Sequence, residues 1–219
     1  MTQRPAPLSD PRLVLASASP RRRALLEAAG VPFCVRPLDV DESIAPDMAP
    51  EQAARELALR KWRAAEAGLA TGEVALAADT VVGLSNARGM WELLGKPSGH
   101  EDARRMLRAL SGTRHTVATG VAVGARGAQA AVGVAVTFVT MRTIEPSEVE
   151  DYVESGEWRD KAGGYAIQES ADRFVEKLEG AGFDNVVGLP LKLALELALA
   201  AGFASAGAAL ARLRVEGVR

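Results

Sequence analysis

Residues 16–23, with the sequence ASASPRRR, combine hydroxyl and guanidinium groups between a short apolar run, 13–15, and a helical pattern. Ser19 is suited to cap that helix, and Pro20 to occupy its first position, where no backbone donor is required. The first turn then carries three cations, although the helix dipole favours anions there: Arg21, Arg22 and Arg23. The segment therefore favours a binding site for an external anion such as phosphate, and the alternative is a solvated basic helix start.

Acidic side chains follow two apolar runs in the same part of the chain. Asp79 lies in the stretch AADTVV, just past a predicted strand, where a carboxylate is costly without a partner. There it could hold a divalent cation or activate water, or simply cap a loop. Asp39, Asp41 and Glu42 form a second acidic group past another predicted strand, and such groups are commonly solvated surface.

Two lysines and one amide complete the set of candidate residues. Lys61 lies on a predicted helix and Lys96 in the turn LGKP, and either could be an ordinary surface lysine. Residues 160–168, DKAGGYAIQ, are predicted to form a flexible loop whose final amide, Gln168, could read the edge of a base or be exposed.

Apolar runs alternate with helical patterns, which predicts an α/β fold. The predicted strands are 13–16, 33–36 and 74–78, and the predicted helices are 21–29, 51–67 and 99–110. Ser98 and Glu101 have the spacing of a capping box at the start of the last of these helices.

The second half of the chain predicts a long hairpin and further helices. Residues 116–123 and 132–140 flank a Gly/Ala loop, and a short helix is predicted over 148–155. Leucines alternate with a strand-like period from Leu191, but strong helix formers and the absence of β-branched residues up to Gly202 favour a helix that ends there. We expect residues 185–190, NVVGLP, to have a structural role.

Composition limits the class of protein. The 219 residues have a formal net charge of -2 and a sequence pI near 5.8, which argues against a general nucleic-acid binder. The single cysteine, Cys34, excludes an internal disulfide and is expected to be a buried thiol. Residues 1–10 are Pro-rich and unlike a signal peptide, and no apolar run suggests a membrane span. We therefore expect a disordered tail over 1–10, a single domain over 11–219 and a cytoplasmic location.

Taken together, separate motifs resemble the Maf family of nucleoside triphosphate pyrophosphatases in both order and spacing. The resemblance runs from about Leu13 to Pro190 and is carried by SASPRR (17–22), DE (41–42), ADT (78–80), GKP (95–97), LSG (110–112) with His115, GV (120–121), SGE (155–157), DKAG (160–163) and NVVGLP (185–190). It implies a Maf/ITPase-like fold, with a mixed sheet, flanking helices, a long central hairpin and an active site in a cleft between two lobes.

The resemblance also implies an activity and roles for particular residues. The PRR, DT and DKAG…IQ motifs look like the branch that hydrolyses dTTP and UTP to the monophosphate and pyrophosphate, a house-cleaning reaction that uses a divalent metal, Mg²⁺ or alternatively Mn²⁺ or Co²⁺. By this resemblance Asp79, Lys96 and Glu42 are catalytic, and Glu42 and Asp79 bind the metal. The implied substrate-binding residues are Ser17, Arg21, Arg22, Lys61, Thr80, Lys161 and Gln168.

Two departures and several alternatives accompany this interpretation. Glu169 and Asp172 place acids after Gln168, where the family commonly has a Gly-rich step, and Arg60 and Trp62 flank Lys61 where the family usually has Glu or Ala. The alternative functions are a nucleotide-binding regulator of septum formation and a pyrophosphatase for 7-methyl-GTP or modified purine triphosphates. Relatives of this kind tend to form homodimers.

Overall fold

A computed structural model describes residues 11–45, 47–86 and 88–216, so the predicted tail over 1–10 lies outside the described residues. Within this part of the chain, seven strands form one mixed sheet. The strands are β1 (Arg12–Leu15), β2 (Phe33–Val35), β3 (Glu73–Ser85), β4 (Trp91–Leu94), β5 (Arg114–Ala125), β6 (Ala131–Met141) and β7 (Val175–Gly180).

Helices cover both faces of this sheet. They are α1 (Pro20–Ala28), α2 (Pro50–Glu66), α3 (His100–Leu110), α4 (Pro146–Ser155), α5 (Phe183–Val187), α6 (Leu191–Ala200) and α7 (Ser205–Glu216). Two short 3-10 turns, Ala162–Gly164 and Ser170–Phe174, connect α4 to β7. None of the described helices is both long and apolar enough to cross a lipid bilayer.

The strand order β2-β1-β3-β5-β6-β7 places the long strand β3 at the centre of the fold. β5 pairs antiparallel with β3 along residues 74–83, and β6 continues the meander as the partner strand of a long hairpin. On the other edge of β3, the parallel strand β1 reaches only Leu76, and the antiparallel strand β4 begins only at Val82. This edge is therefore split over residues 77–81, between β1 and β4.

Helix α2 lies directly on one face of the sheet. Asp79 and Gly120 are paired across β3 and β5 and therefore point to the same face. A Cβ atom at Gly120 would lie 2.1 Å from the carbonyl oxygen of Ala54 in α2. The helix backbone can approach this closely only because residue 120 has no side chain.

The opposite face carries two separate groups of buried side chains. Leu76 and Ala78, in the first half of β3, pack with α1, α6 and α7. Val82, in the second half, packs with α3, α4 and Trp158. These two groups form the cores of two lobes, and the division between them coincides with the split edge of β3. The cleft between the lobes opens there.

The predicted α/β fold, mixed sheet, flanking helices and long hairpin are confirmed, and so is the helix from Leu191, which ends at Ala200 before Gly202. The buried-thiol prediction is wrong, because Cys34 lies in a strand at the edge of the sheet and is partly exposed. The prediction of a single domain over 11–219 remains a prediction.

The capping-box prediction at α3 is also wrong. The backbone N–H and hydroxyl of Ser98 both donate to Asp102, and Gly99 is the N-cap. A capping box instead begins α4, where Glu145 and Glu148 exchange hydrogen bonds with each other's backbone. The side chain at Ser98 donates to a carboxylate four residues on, so its hydroxyl does not cap the helix.

Candidate active site

The anion-binding segment has the local structure that the sequence predicts. After β1 the chain turns, Ser19 caps α1 by accepting a hydrogen bond from the backbone of Arg22 at 3.5 Å, and Pro20 is the first residue of the helix. The three arginines then diverge. Arg23 pairs with Glu27 on the exposed helix surface, Arg21 donates to the carbonyl of Asp160, and Arg22 points inward.

Arg22 is a half-buried cation whose direct partners are uncharged. Its Nε donates to the carbonyl of Gly188 at 2.8 Å, and its terminal nitrogens donate to the hydroxyls of Ser17 at 3.2 Å and Thr80 at 3.3 Å. Burial lowers the pKa of Arg22 from its ordinary value, and the charge of Asp79 acts in the opposite direction. A half-buried guanidinium held only by neutral acceptors is suited to an incoming anion.

Two carboxylates and two lysines form the second part of the site. The Lys61 ammonium donates to Glu42 Oε1 at 2.6 Å and also to Asp79 Oδ2, and Lys96 donates to Glu42 Oε2 at 3.2 Å. The side chain of Asp79 is only 11% exposed, whereas that of Lys96 is 55% exposed. The Asp79–Lys61 pair is therefore the buried part of this group of residues, and Lys96 lies at its exposed rim.

The pKa of Glu42 is lowered from its ordinary value. Burial by itself raises this pKa, but the hydrogen bonds and positive charges of Lys61 and Lys96 together outweigh that effect. Glu42 is consequently an anion at neutral pH and a suitable ligand for a cation.

The split edge of β3 explains how one cavity reaches both parts of the site. Asp79 and Thr80 are successive residues of a strand, so their side chains point to opposite faces of the sheet. Asp79 faces Lys61 on α2, and Thr80 faces Arg22 on α1. Because no strand pairs with this edge over residues 77–81 among the described residues, the cavity extends around it. Asp79 thus lies inside β3, and the expectation that it follows the end of a strand is wrong.

Glu42 and Asp79 are the candidate ligands for a divalent metal. Glu42 and Asp79 both reach the single ammonium of Lys61, so their oxygens converge on a space the size of one cation. Among the residues that the structure describes, no group of three or more His, Cys, Asp or Glu side chains has a metal-binding arrangement. Mg²⁺ commonly takes one or two protein carboxylates and completes its shell with water and substrate phosphates. The two carboxylates therefore fit Mg²⁺ bound together with a phosphorylated ligand.

The far end of the cavity is formed by residues 159–169. Gln168 is exposed in the cavity wall. Lys161 is buried, with its ammonium donating to the Glu157 carbonyl and paired with Glu169 at 2.9 Å. Asp160, whose carbonyl accepts from Arg21, has a left-handed backbone with φ of 60°, which is uncommon for a residue other than glycine. Arg21 therefore joins the two sides of the cleft.

The cavity has a volume of about 700 Å³. Every site residue named from the sequence lines it: Ser17, Arg21, Arg22, Glu42, Lys61, Asp79, Thr80, Lys96, Lys161 and Gln168. Four further residues line it that sequence reasoning did not name as site residues: Leu38, Arg159, Asp160 and Tyr165. Asp160 and Tyr165 lie in the segment 160–168 that the sequence singled out, whereas Leu38 and Arg159 carry no pattern that would have distinguished them from loop or core residues.

The segment at residues 185–190 was expected to be structural, and this is confirmed for Asn185. Its buried amide donates to the Val117 carbonyl at 3.0 Å and to Thr137 Oγ1 at 2.9 Å, which ties α5 to β5 and β6. Gly188 in addition contributes the carbonyl that holds Arg22, so the segment also belongs to the site.

A half-buried arginine, a pair of lysines and two converging carboxylates around one cleft define an α/β protein of the phosphate-binding class, with the donors for a divalent cation. Comparison with known proteins gives the family. The family model described as Maf-like protein matches residues 12–201, and the chain belongs to this family.

Relatives cover most of the chain. The dTTP/UTP pyrophosphatase of Anaeromyxobacter dehalogenans (strain 2CP-C) is 48% identical over 196 residues, covering 88% of this chain and 95% of that protein. The dTTP/UTP pyrophosphatase of Moorella thermoacetica is 47% identical over 188 residues, covering 85% of this chain and 93% of that protein. A solved nucleoside-triphosphatase / dITP/XTP pyrophosphatase from Mycobacterium abscessus aligns over 61% of this chain and 75% of its own, with 16% identity and a TM-score of 0.38.

Proposed function

We propose that this protein is a nucleoside triphosphate pyrophosphatase that hydrolyses dTTP and UTP to the nucleoside monophosphate and pyrophosphate. The observation that carries the proposal is the convergence, in one cavity, of Arg22 and the Glu42–Lys61–Asp79 centre. Relatives that cover most of the chain and bear the name dTTP/UTP pyrophosphatase support it.

The cationic groups have the task of neutralising the triphosphate. Arg22 and the hydroxyl of Ser17 are hydrogen-bonded to each other and form the deep contact, while Lys61 and Lys96 approach from the acidic side. Negative charge on the phosphate oxygens changes its distribution as the α–β anhydride bond breaks. Positioned cations that follow this change lower the barrier to the reaction.

Asp79 is the group that we assign to activate water. Lys61 donates to its Oδ2, and Oδ1 is the oxygen that we assign to accept the proton as water attacks the α-phosphorus. The bond from the α-phosphorus to the bridging oxygen then breaks, and pyrophosphate leaves with the electron pair. The low exposure of Asp79 indicates that it lies at the deep end of the cavity, where the α-phosphate would lie.

Glu42 and Asp79 would hold the divalent cation, for which Mg²⁺ is our first expectation and Mn²⁺ or Co²⁺ the alternatives. When bound, such an ion supplies charge neutralisation and orientation of the phosphate oxygens. Since Lys61 bridges the same two carboxylates, binding of the ion requires the ammonium to shift, and a phosphate oxygen is the acceptor it would then meet.

Base recognition is assigned to Gln168. A side-chain amide offers one donor and one acceptor side by side, which matches the carbonyl at C4 and the N3–H of uracil or thymine. Cytosine reverses both groups, because it presents an amino group at C4 and an acceptor at N3, so the amide distinguishes the two bases when it is held in one orientation. Arg21 and Thr80 would support the bound nucleotide by holding Asp160 and Arg22 in place.

The decisive experiment is product analysis with Mg²⁺ and each of UTP, dTTP, CTP, GTP, ATP and 7-methyl-GTP, with pyrophosphate measured separately from orthophosphate. Pyrophosphate together with UMP or dTMP is the expected result, and chelation of the metal should abolish it. Nucleotide binding without turnover would overturn the proposal and favour a nucleotide-binding regulator. Preferential cleavage of 7-methyl-GTP or a purine triphosphate would overturn the base assignment. The cytoplasmic location, where nucleoside triphosphates are used, and the homodimer remain predictions.

A further inference from the structure

Hydrogen bonds and one ion pair link residues 157, 161, 169 and 170 into a closed ring beside Gln168. Lys161 is only 9% exposed at its side chain, and its ammonium pairs with Glu169 at 2.9 Å and donates to the Glu157 carbonyl. The Glu157 carboxylate accepts from both the backbone N–H of Ser170 at 3.1 Å and its hydroxyl at 2.7 Å. Residues 157–161 thereby hold two consecutive residues of the segment that follows Gln168.

Gln168 is the exposed residue between two anchored parts of the chain. Before it, Tyr165, Ala166 and Ile167 are buried, and the Ala166 carbonyl accepts from the backbone N–H of Glu169 at 3.2 Å. After it, Glu169 is bound through its carboxylate to Lys161. The backbone at Gln168, from which its side chain enters the cavity, is consequently held in place on both sides.

Burial makes the ion pair between Lys161 and Glu169 costly to break. An ammonium group removed from water is costly unless a counter-charge and hydrogen-bond acceptors satisfy it. Glu169 supplies the carboxylate that pairs with Lys161, yet it is itself 37% exposed and lines the same cavity. Loss of this carboxylate would leave the buried ammonium without its counter-charge, which favours rearrangement of the segment around Glu169.

We propose that Glu169 is a specificity-determining positioning residue, which sets the base preference of the site by pairing with Lys161 and so fixing the backbone position from which Gln168 reaches the base. The inference rests on the proposed function, because it assumes that Gln168 reads the base. It does not assign Glu169 any contact with the substrate. The residue would act through the placement of its neighbour.

The test is a double-mutant cycle that uses Glu169→Gln, Lys161→Met and the combined variant. For each protein the ratio of kcat/KM for UTP to that for CTP is measured with Mg²⁺. Glu169→Gln should lower this ratio about tenfold, the scale of one well-placed hydrogen bond, through a higher KM for UTP rather than a lower kcat. The double variant should lose no more discrimination than the larger of the two single variants, because both changes break the same contact.

Asp172→Asn is the matched control, since it also removes an acidic charge from an exposed position three residues along the same segment. Its UTP/CTP ratio should equal that of the wild type. Melting temperatures of all variants separate a change of discrimination from unfolding. An unchanged ratio in a folded Glu169→Gln protein, or losses from the two single variants that simply add, would overturn the inference.

Binding of non-hydrolysable α,β-imido analogues of UTP and CTP distinguishes failure of this inference from failure of the proposed function. If no triphosphate is hydrolysed but the binding ratio falls in Glu169→Gln, the positioning role stands and the catalytic proposal is wrong. If the wild type binds both analogues equally, the positioning role is wrong whatever the turnover.

Discussion

Asp79 and Thr80 are neighbours in the chain but act on opposite faces of the sheet. Asp79 meets Lys61 beneath α2, and Thr80 meets Arg22 beneath α1. At most positions in a sheet this alternation would separate two such residues completely. Here both line one cavity, because the edge of β3 is uncovered between β1 and β4.

At the residue scale, Asp79→Asn should lower kcat by about 100-fold or more, because an amide cannot accept a proton from the attacking water. Release of pyrophosphate from UTP in the presence of Mg²⁺ is the measurement. Asp39→Asn is the matched control, since it removes another carboxylate that lines the same cavity and should leave kcat within about threefold of the wild type. Near-normal turnover in Asp79→Asn would remove Asp79 from the role of base.

Gln168→Ala should change the relative rates for UTP, dTTP and CTP, since it deletes the paired donor and acceptor that distinguish uracil from cytosine. The discrimination against CTP should fall by about tenfold, measured as the ratio of kcat/KM values. Gln129→Ala, in the exposed loop of the β5–β6 hairpin, is the control and should leave the ratio unchanged. Equal ratios in all three proteins would mean that another residue reads the base.

At the scale of elements, the site depends on how closely α2 approaches the sheet. Lys61 reaches Asp79 because the helix backbone at Ala54 lies directly over Gly120. Sequence patterns predict α2 well, since it is long and strongly patterned, but they predict only the first part of β3, because the predicted strand ends at residue 78. They do not predict this approach, because it depends on which residue of β5 pairs with Asp79.

Gly120→Ala should therefore destabilise the protein by about 3 kcal/mol, because its new Cβ would meet the helix backbone, which cannot rotate away as a side chain can. Turnover in the remaining folded protein should also fall, since α2 carries Lys61. Gly68→Ala is the control, with a Cβ 3.7 Å from the Ala65 carbonyl and thus in ordinary contact. Denaturant unfolding and kcat test both effects, and equal stability of the two variants would contradict the packing argument.

At the scale of the whole molecule, burial of one histidine makes the stability of the folded protein depend on pH. His115 lies on β5 with its Nε2 at 2.8 Å from the hydroxyl of Tyr165, a residue that lines the cavity. Burial lowers the pKa of His115 from 6.5 to about 4. The folded protein therefore resists protonation of this ring, whereas the unfolded chain takes up the proton near its ordinary pKa.

The stability that His115 contributes is consequently complete above about pH 6.5 and is lost as the pH falls toward about 4. Over this window the loss should be about 3 kcal/mol. His115→Gln should remove that part of the pH dependence, as measured by urea unfolding at a series of pH values. The wild type, unfolded at the same pH values, is the reference. The same pH dependence in the wild type and in His115→Gln would contradict the assignment.

The sequence by itself determined the local features of this protein: the capped start of α1 with its arginines, the long hairpin, the helix over Leu191–Ala200 and the identities of ten of the side chains that line the cavity. These follow from periodicity, from cap and turn chemistry, and from motifs whose order is readable along the chain. Only the tertiary structure decided that the edge of β3 is split, that Lys61 bridges Glu42 and Asp79, and that Lys161 is bound by Glu169. Each of these contacts joins residues that are distant in the chain or depends on strand register. Local propensity does not encode either relation, because both are set by packing of the whole sheet against its helices.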